Sequence, residues 1–313
     1  MQSTIQRTRH QIYTVDVRPL TAYCHDSDAP FRATLVIMPG MAIPQHFYSE
    51  FANYFAGLGY RVWTFDYRGM GESATGPLRR CTASLSDWVR LDGDAMVRHA
   101  HATGAGAPVF LIGHSLGGQG APLLSCAAHL NGLVNIAVGS GAAQHNQPAA
   151  RRMAPLLWHA LVPVLTTLFG YFPGQRIGVI GNVPRRAMAQ WRTWCLHPEY
   201  LLGAEPGARA AYASVRYPVL GLTFCDDELL LETGSKMLHA AFTGAEVDYR
   251  ELASAQFGLA RIGHFGFFRK AQGAVLWPLV GQWLGEKMAR IGQRSTGEVD
   301  QHGQARPMLA ACQ

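Results

Sequence analysis

The stretch Val109-Phe110-Leu111-Ile112-Gly113-His114-Ser115-Leu116-Gly117-Gly118 decides the fold. Its apolar opening reads as a buried strand. The Gly-x-Ser-x-Gly that follows reads as a sharp turn, and the small residues beyond it can open a helix. Strand, serine at the apex of a turn, then helix is the arrangement called a nucleophile elbow. A serine held on such a turn has strained backbone angles, and side chains on its neighbours would clash. Gly113 and Gly117 remove those side chains. The turn lifts the Ser115 hydroxyl clear of the sheet, and the helix start behind it offers free N–H groups to a developing oxyanion. A plain glycine-serine turn after a buried strand is the simpler alternative, so the pattern needs partners elsewhere in the chain.

Outward from this stretch, short β-rich runs alternate with helical patterns. This predicts an α/β protein with a mostly parallel sheet and helices on both faces. Strands are expected at Ala33–Met38, Arg61–Tyr67, Leu133–Val138, Pro218–Phe224 and Ala245–Leu252, with a leading hairpin over Ile12–Tyr23. Tyr48, Phe51, Tyr54, Phe55 and Leu58 recur at helical steps and are closed by Gly59. Helices are also expected around Ser86–His101, from the elbow to Ala128, and near Val275–Ile291. Between Ser140 and Pro218 lies a long aromatic-rich segment with little strand character. A structureless loop of that length is improbable, so a helical lid inserted over the strand ends is expected.

Composition narrows the function classes. The chain has 313 residues, 48% of them hydrophobic, enough for a sizeable core. Its net charge of +6 is carried by scattered residues and pairs such as Arg79-Arg80 and Arg185-Arg186. Without a Lys/Arg-rich block, no nucleic-acid partner is indicated. The six cysteines show no C-x-x-C spacing; they read as reduced thiols, which points to a cytoplasmic protein. The first residues are polar and lack an apolar signal core. No uncharged apolar run approaches bilayer-spanning length; Met153–Phe172 comes nearest, and its prolines and glycine assign it to the lid, so no integral membrane segment is expected. His99 and His101 have neither a spaced third ligand nor an H-E-x-x-H context, so neither metal nor cofactor is expected.

Four strings carry a family likeness: Met38-Pro39-Gly40-Met41, Phe65-Asp66-Tyr67-Arg68-Gly69-Met70-Gly71-Glu72-Ser73, the elbow, and Gly263-His264-Phe265-Gly266. Together the chain resembles an α/β-hydrolase, of the branch containing monoglyceride lipases, lysophospholipases and serine-aminopeptidase-like proteins. The resemblance implies Ser115 as nucleophile and His264, in the loop after the last strand, as base. It implies an acid just after the strand that begins at Pro218, where Asp226 and Asp227 are adjacent; Asp227 is favoured, and the other aspartate would cap the following helix. The N–H groups of Leu116 and Met41 are the implied oxyanion donors. Relatives commonly carry His-Gly where this chain has Pro39-Gly40.

The resemblance also implies an activity: cleavage of a carboxylic ester of a small-molecule acyl substrate through an acyl-enzyme, with a thioester or amide as the lesser options; the large aromatic lid favours a fairly apolar acyl group. An acyltransferase, or a silent fold that only binds, are the alternatives. The string from Asp66 to Ser73 is expected to shape a loop beside the site, and His114 to pack sideways. His46 is weighed as a pocket residue against plain surface. Trp191 and Trp194 are the lid aromatics with the best claim to line the site, and Arg185, Arg186 and Arg192 are expected on solvated surface. The expected organisation is a hydrolase core over 1–141 and 218–292, a lid over 142–217 and a disordered tail over 293–313; oligomeric state stays open.

Overall fold

In the computed structural model of the protein, residues 4–178 and 180–300 are described. Eight strands form one sheet, in the order Ile5–Tyr13, Pro19–Ser27, Tyr60–Phe65, Ala33–Met38, Val109–His114, Gly132–Ile136, Val219–Phe224 and Val247–Leu252. The strands β1 (Ile5–Tyr13) and β2 (Pro19–Ser27) make the leading hairpin, longer than the sequence suggests. β3 (Ala33–Met38), β4 (Tyr60–Phe65), β5 (Val109–His114), β6 (Gly132–Ile136), β9 (Val219–Phe224) and β10 (Val247–Leu252) run parallel to one another. β2 joins them antiparallel to β4. Every residue of β3, β5 and β9 is buried, as expected of strands covered on both faces.

Alternate residues of each strand feed two cores. Leu35 and Ile37 pack with Phe51, Phe55, Trp277 and Trp283, beneath the helices Ser49–Gly57 and Lys270–Asp300. Val36 and Met38 face the opposite way, toward Trp88, Val97 and the inserted segment. Each buried side chain the size of Leu or Phe contributes roughly 1.5–3 kcal/mol relative to exposure.

The elbow helix is much shorter than the expected run to Ala128. It spans Leu116–Gly120, then tightens to a 3-10 turn over Ala121–Leu123. Gly117, Gly118 and Gly120 weaken it and Pro122 removes a donor. The last helix, expected to close near Ile291, continues to Asp300, so the first part of the expected tail is helical. Positions 301–313 of that tail, with Cys312, lie outside the described residues.

Between β6 and β9 the chain builds a largely helical insertion with one small hairpin, β7 (Tyr171–Phe172) against β8 (Val183–Pro184). Its first long helix corrects the reading that no apolar run approaches bilayer-spanning length. Pro148–Phe169 is one continuous helix of 22 residues with a mean hydropathy of 1.2 over its most apolar window, enough by length and composition alone. Its prolines do not break it: the chain stays helical through Pro155 and Pro163, with a π-helical turn over Leu157–Leu161 between them, closed by the Val162 N–H on the Leu157 carbonyl. Ala154, Trp158, Val162 and Thr166 face the core, while Met153, Leu156, Val164 and Leu168 are exposed.

Candidate active site

Ser115 sits between β5 and the elbow helix with φ 49° and ψ −115°, a conformation that L-residues rarely adopt. The surroundings over-determine it. Its N–H donates to the Ile136 carbonyl at 3.0 Å, and its own carbonyl accepts from Gly118 and Gln119 at 3.1 and 3.0 Å. The glycines are required by close approach. A Cβ on Gly117 would stand 2.1 Å from the Met38 carbonyl oxygen, and one on Gly113 would stand 2.3 Å from the Gly118 Cα.

Ser115 Oγ lies 3.1 Å from His264 Nε2, and His264 Nδ1 lies 2.8 Å from Asp227 Oδ2. A carboxylate only accepts, so Nδ1 carries the proton and Nε2 is left to accept from the serine hydroxyl. The His264 and Asp227 side chains are 4% and 6% exposed, so the pair works in a low-dielectric setting. Asp227 Oδ1 accepts from the N–H groups of Leu229 and Leu230 at 2.8 and 2.9 Å, which locks the carboxylate's plane.

Asp226 takes a different part from the helix cap expected of the second aspartate. Its two oxygens accept from Ile262 and Gly263 N–H, both at 2.8 Å, and so hold the loop that carries His264. The helix Glu232–His239 starts after Leu231 with no side-chain cap. Glu228, which the sequence reading passed over, accepts from the His264 N–H at 2.9 Å and pairs with Arg261. Three consecutive acidic residues thus serve one histidine loop; the run Asp226-Asp227-Glu228 was the available signal.

A second set of bonds joins this loop to the turn after β3. His114 is fully buried, with Nε2 3.1 Å from the His264 carbonyl and Nδ1 2.9 Å from Tyr48 Oη. Burial pushes its pKa down to about 3, so the ring is neutral. The His264 carbonyl must receive a proton, so Nε2–H donates to it and Nδ1 accepts from the Tyr48 hydroxyl. Tyr48 Oη in turn accepts the Gly40 N–H at 2.9 Å. Tyr67 Oη donates to the Pro39 carbonyl at 3.3 Å. The turn that carries Met41 is therefore pinned by two buried tyrosines. Tyr48 was read only as a helical core position, and His114 does more than pack sideways.

Leu116 opens the elbow helix, so its N–H belongs to a first turn that has no intrahelical acceptor. Met41 is half-buried in the tight turn Gly40–Ile43, closed by the Ile43 N–H on the Gly40 carbonyl at 3.2 Å. A cleft of about 640 Å³ opens beside it, between that turn and the insertion, with Ala42, Met70, Leu78 and Ile180 in its walls.

The remaining singled-out residues fall into supporting places. Asp66 binds the Gln45 and Glu72 N–H groups and the Gln45 side chain, so its string shapes the loop. Arg68 is held between Asp92 and Asp16. His46, Arg185 and Arg186 are exposed, and Arg192 is half-buried on the Trp158 carbonyl. Trp191 Nε1 donates to Tyr200 Oη, which donates to Gln119 Oε1 on the elbow helix, each at 3.0 Å; this ties the insertion over the elbow. Trp194 is buried against Glu205. His101 stacks on His129 and His99 packs on Trp63; among the described residues no group of His, Cys, Asp and Glu could hold a metal ion.

Comparison with known proteins agrees with this architecture. Residues 29–178 match the family described as Serine aminopeptidase, S33 (Hydrolase_4). A segment of 95 residues is 33% identical to the mouse (Mus musculus) phospholipase ABHD3, covering 29% of this chain and 22% of that protein. The chain thus spans about a fifth of the curated relative it matches. Among solved structures, DcsB in complex with its substrate analogue superposes with a TM-score of 0.61 at 14% identity, over 91% of this chain and 99% of that one. The Pyrococcus furiosus esterase Pf2001 gives 0.56 at 14%, over 91% and 90%. A thermophilic esterase from Thermogutta terrifontis gives 0.56 at 15%, over 90% and 99%. At such identities the structural likeness is one of fold. The protein has the α/β-hydrolase fold, and over residues 29–178 it is similar to the serine aminopeptidase, S33 family.

Proposed function

We propose that the protein is a serine hydrolase that cleaves a carboxylic ester, thioester or amide with a fairly apolar acyl group through an acyl-enzyme. The observation that carries this reading is the unbroken line from Ser115 Oγ through the His264 ring to Asp227 Oδ2, at 3.1 and 2.8 Å. His264 Nε2 takes the Ser115 proton as Oγ attacks the carbonyl carbon. The N–H groups of Leu116 and Met41 receive the oxyanion. Asp227 keeps Nδ1 protonated and stabilises the imidazolium. His264 then gives its proton to the departing alcohol, thiol or amine, leaving Ser115 acylated. Water, deprotonated by the same nitrogen, adds to the acyl carbon and releases the acid and the free serine. Ala42, Met70, Leu78 and Ile180 give an apolar wall, which favours an apolar acyl group, to a cleft next to the Met41 turn that Gln175 and Asn182 also line. The five described cysteines are all free thiols, which supports work in a reducing compartment such as the cytoplasm.

The test is fluorophosphonate labelling of wild type and Ser115→Ala, with p-nitrophenyl esters of graded chain length alongside. Labelling and ester turnover that both vanish in the variant are expected. Folded wild-type protein that neither labels nor turns over an ester would sink the reading.

A further inference from the structure

Opposite the Ser115 end of the sheet, the strands begin over a groove of about 780 Å³. Asn131, Pro218 and Glu246, the residues that precede β6, β9 and β10, lie in its wall. Ser115, Asp227 and His264 all follow strand ends, and a six-residue strand is roughly 20 Å long, so this groove is remote from them. Its volume falls in the roughly 300–1,000 Å³ range of small-molecule sites.

The lining divides into two kinds of surface. Leu123, Leu124, Leu130 and Val215 are almost wholly buried and expose their last atoms to the groove, giving it an apolar floor. Around that floor stand Arg90, Arg216, Lys287 and Arg290. Lys287 is only 6% exposed, its ammonium 2.7 Å from Glu246 Oε1 and 5.5 Å from the Trp283 ring. Arg290 draws on the same Glu246 carboxylate, at 3.0 Å. Arg216 makes bonds only to the Ala213 and Val215 carbonyls, and neither it nor Arg90 has an acidic partner among the described residues. Four cations against one carboxylate leave an excess of three positive charges at the edge of an apolar trough. One of the four, Lys287, is buried, with Glu246 as the one hydrogen-bonding partner of its three donors among the described residues. An organic anion entering the groove meets this surplus of positive charge beside an apolar floor.

We propose that this groove is a second binding site, separate from the Ser115 centre, for an amphipathic organic anion. The carboxylate head would sit among Arg90, Arg216, Lys287 and Arg290, and the apolar body would lie over Leu123, Leu124 and Val215. A ligand so placed bridges the helices Ala208–Ser214 and Lys270–Asp300 and braces the sheet's amino-terminal edge. The proposal does not depend on the hydrolase reading.

Calorimetric titration with dodecanoate, kept below its micellar concentration, tests it on the full chain. Saturable one-to-one binding is expected, weakened at least tenfold in Arg90→Glu/Arg216→Glu and abolished in Ala128→Trp, where an exposed alanine of the groove becomes a plug. Ser115→Ala should bind as wild type does. Acetate should bind far more weakly than dodecanoate, and dodecyltrimethylammonium not at all. Unchanged affinity in both groove variants overturns the proposal, because the ligand then sits elsewhere. Acetate or the ammonium amphiphile binding as tightly as dodecanoate overturns it too, because apolar floor or positive rim then does nothing.

Discussion

Replacing Tyr48 by Phe removes one oxygen atom from the junction between the Met41 turn and the His264 loop. The ring stays packed edge-on against Phe268 at 4.8 Å, so the change creates little void. It strands two buried partners: the Gly40 N–H and His114 Nδ1, each 2.9 Å from the lost hydroxyl. His114 cannot escape by ionising, since burial holds it near 3. A stranded buried group costs about 1–3 kcal/mol, and partial relaxation brings the pair to about 2–4 kcal/mol. At roughly 2–4 °C per kcal/mol for a large domain, the melting temperature should fall by roughly 4–16 °C. Loss of an oxyanion donor typically costs about 100–1,000-fold in kcat. A loosened donor turn should cost less, about 10–100-fold, with KM little changed. Tyr67→Phe is the control, since it frees a single carbonyl at 3.3 Å and should lose much less of both. Thermal melts and ester kinetics on Tyr48→Phe, His114→Phe and the double variant complete a cycle, in which the two losses should be far from additive. Tyr48→Phe with an unchanged melting temperature and kcat within twofold of wild type would refute the reasoning.

The adjacent aspartates should separate kinetically. Asp227→Asn should fold normally and lose about 10⁴-fold in kcat, because an amide cannot hold the His264 tautomer; Asp226→Asn, which weakens only the two loop bonds, should lose about 10-fold or less. Equal losses would contradict the assignment. Gly117→Ala should fail to give soluble protein, because its methyl would lie 2.1 Å from the Met38 carbonyl oxygen; a folded, active variant would show that β3 can move. Burial pushes the His239 pKa down to about 4, so between pH 4 and 6.5 the unfolded chain binds a proton that the folded chain refuses. The His239 contribution is full above pH 6.5 and is lost as the pH falls toward 4. The difference in urea midpoint between wild type and His239→Gln should therefore narrow over that window, and parallel curves would speak against it.

Much of the architecture was legible in one dimension. β3 and β9 came out at or within a residue of their expected bounds, and β5 runs two residues past its apolar run into the elbow, because uninterrupted apolar runs between turn residues have few other uses in a sheet covered on both faces. The elbow was legible because Gly113 and Gly117 leave room for the strained Ser115, a demand written in residue type alone. The helix Pro148–Phe169 is not legible as one element, because Pro155, Pro163 and Gly170 read in the sequence as breaks. The chain stays helical through both prolines, with a π turn between them, and residue propensities do not report that.

Residue types and order determined that a serine turn, an acidic pair and a histidine loop follow strand ends of one parallel sheet. Those are consequences of local sterics and hydrophobic periodicity, which act between near neighbours. Only the tertiary structure decided that Asp227 faces the His264 ring while Asp226 holds the backbone of its loop, and that Tyr48 and His114 join that loop to the Met41 turn. Those bonds span residues 36 to 150 positions apart, apart from the Tyr48–Gly40 bond. Which way a side chain points at such a range is set by how twisted strands and turns pack, and no short stretch of chain contains that information.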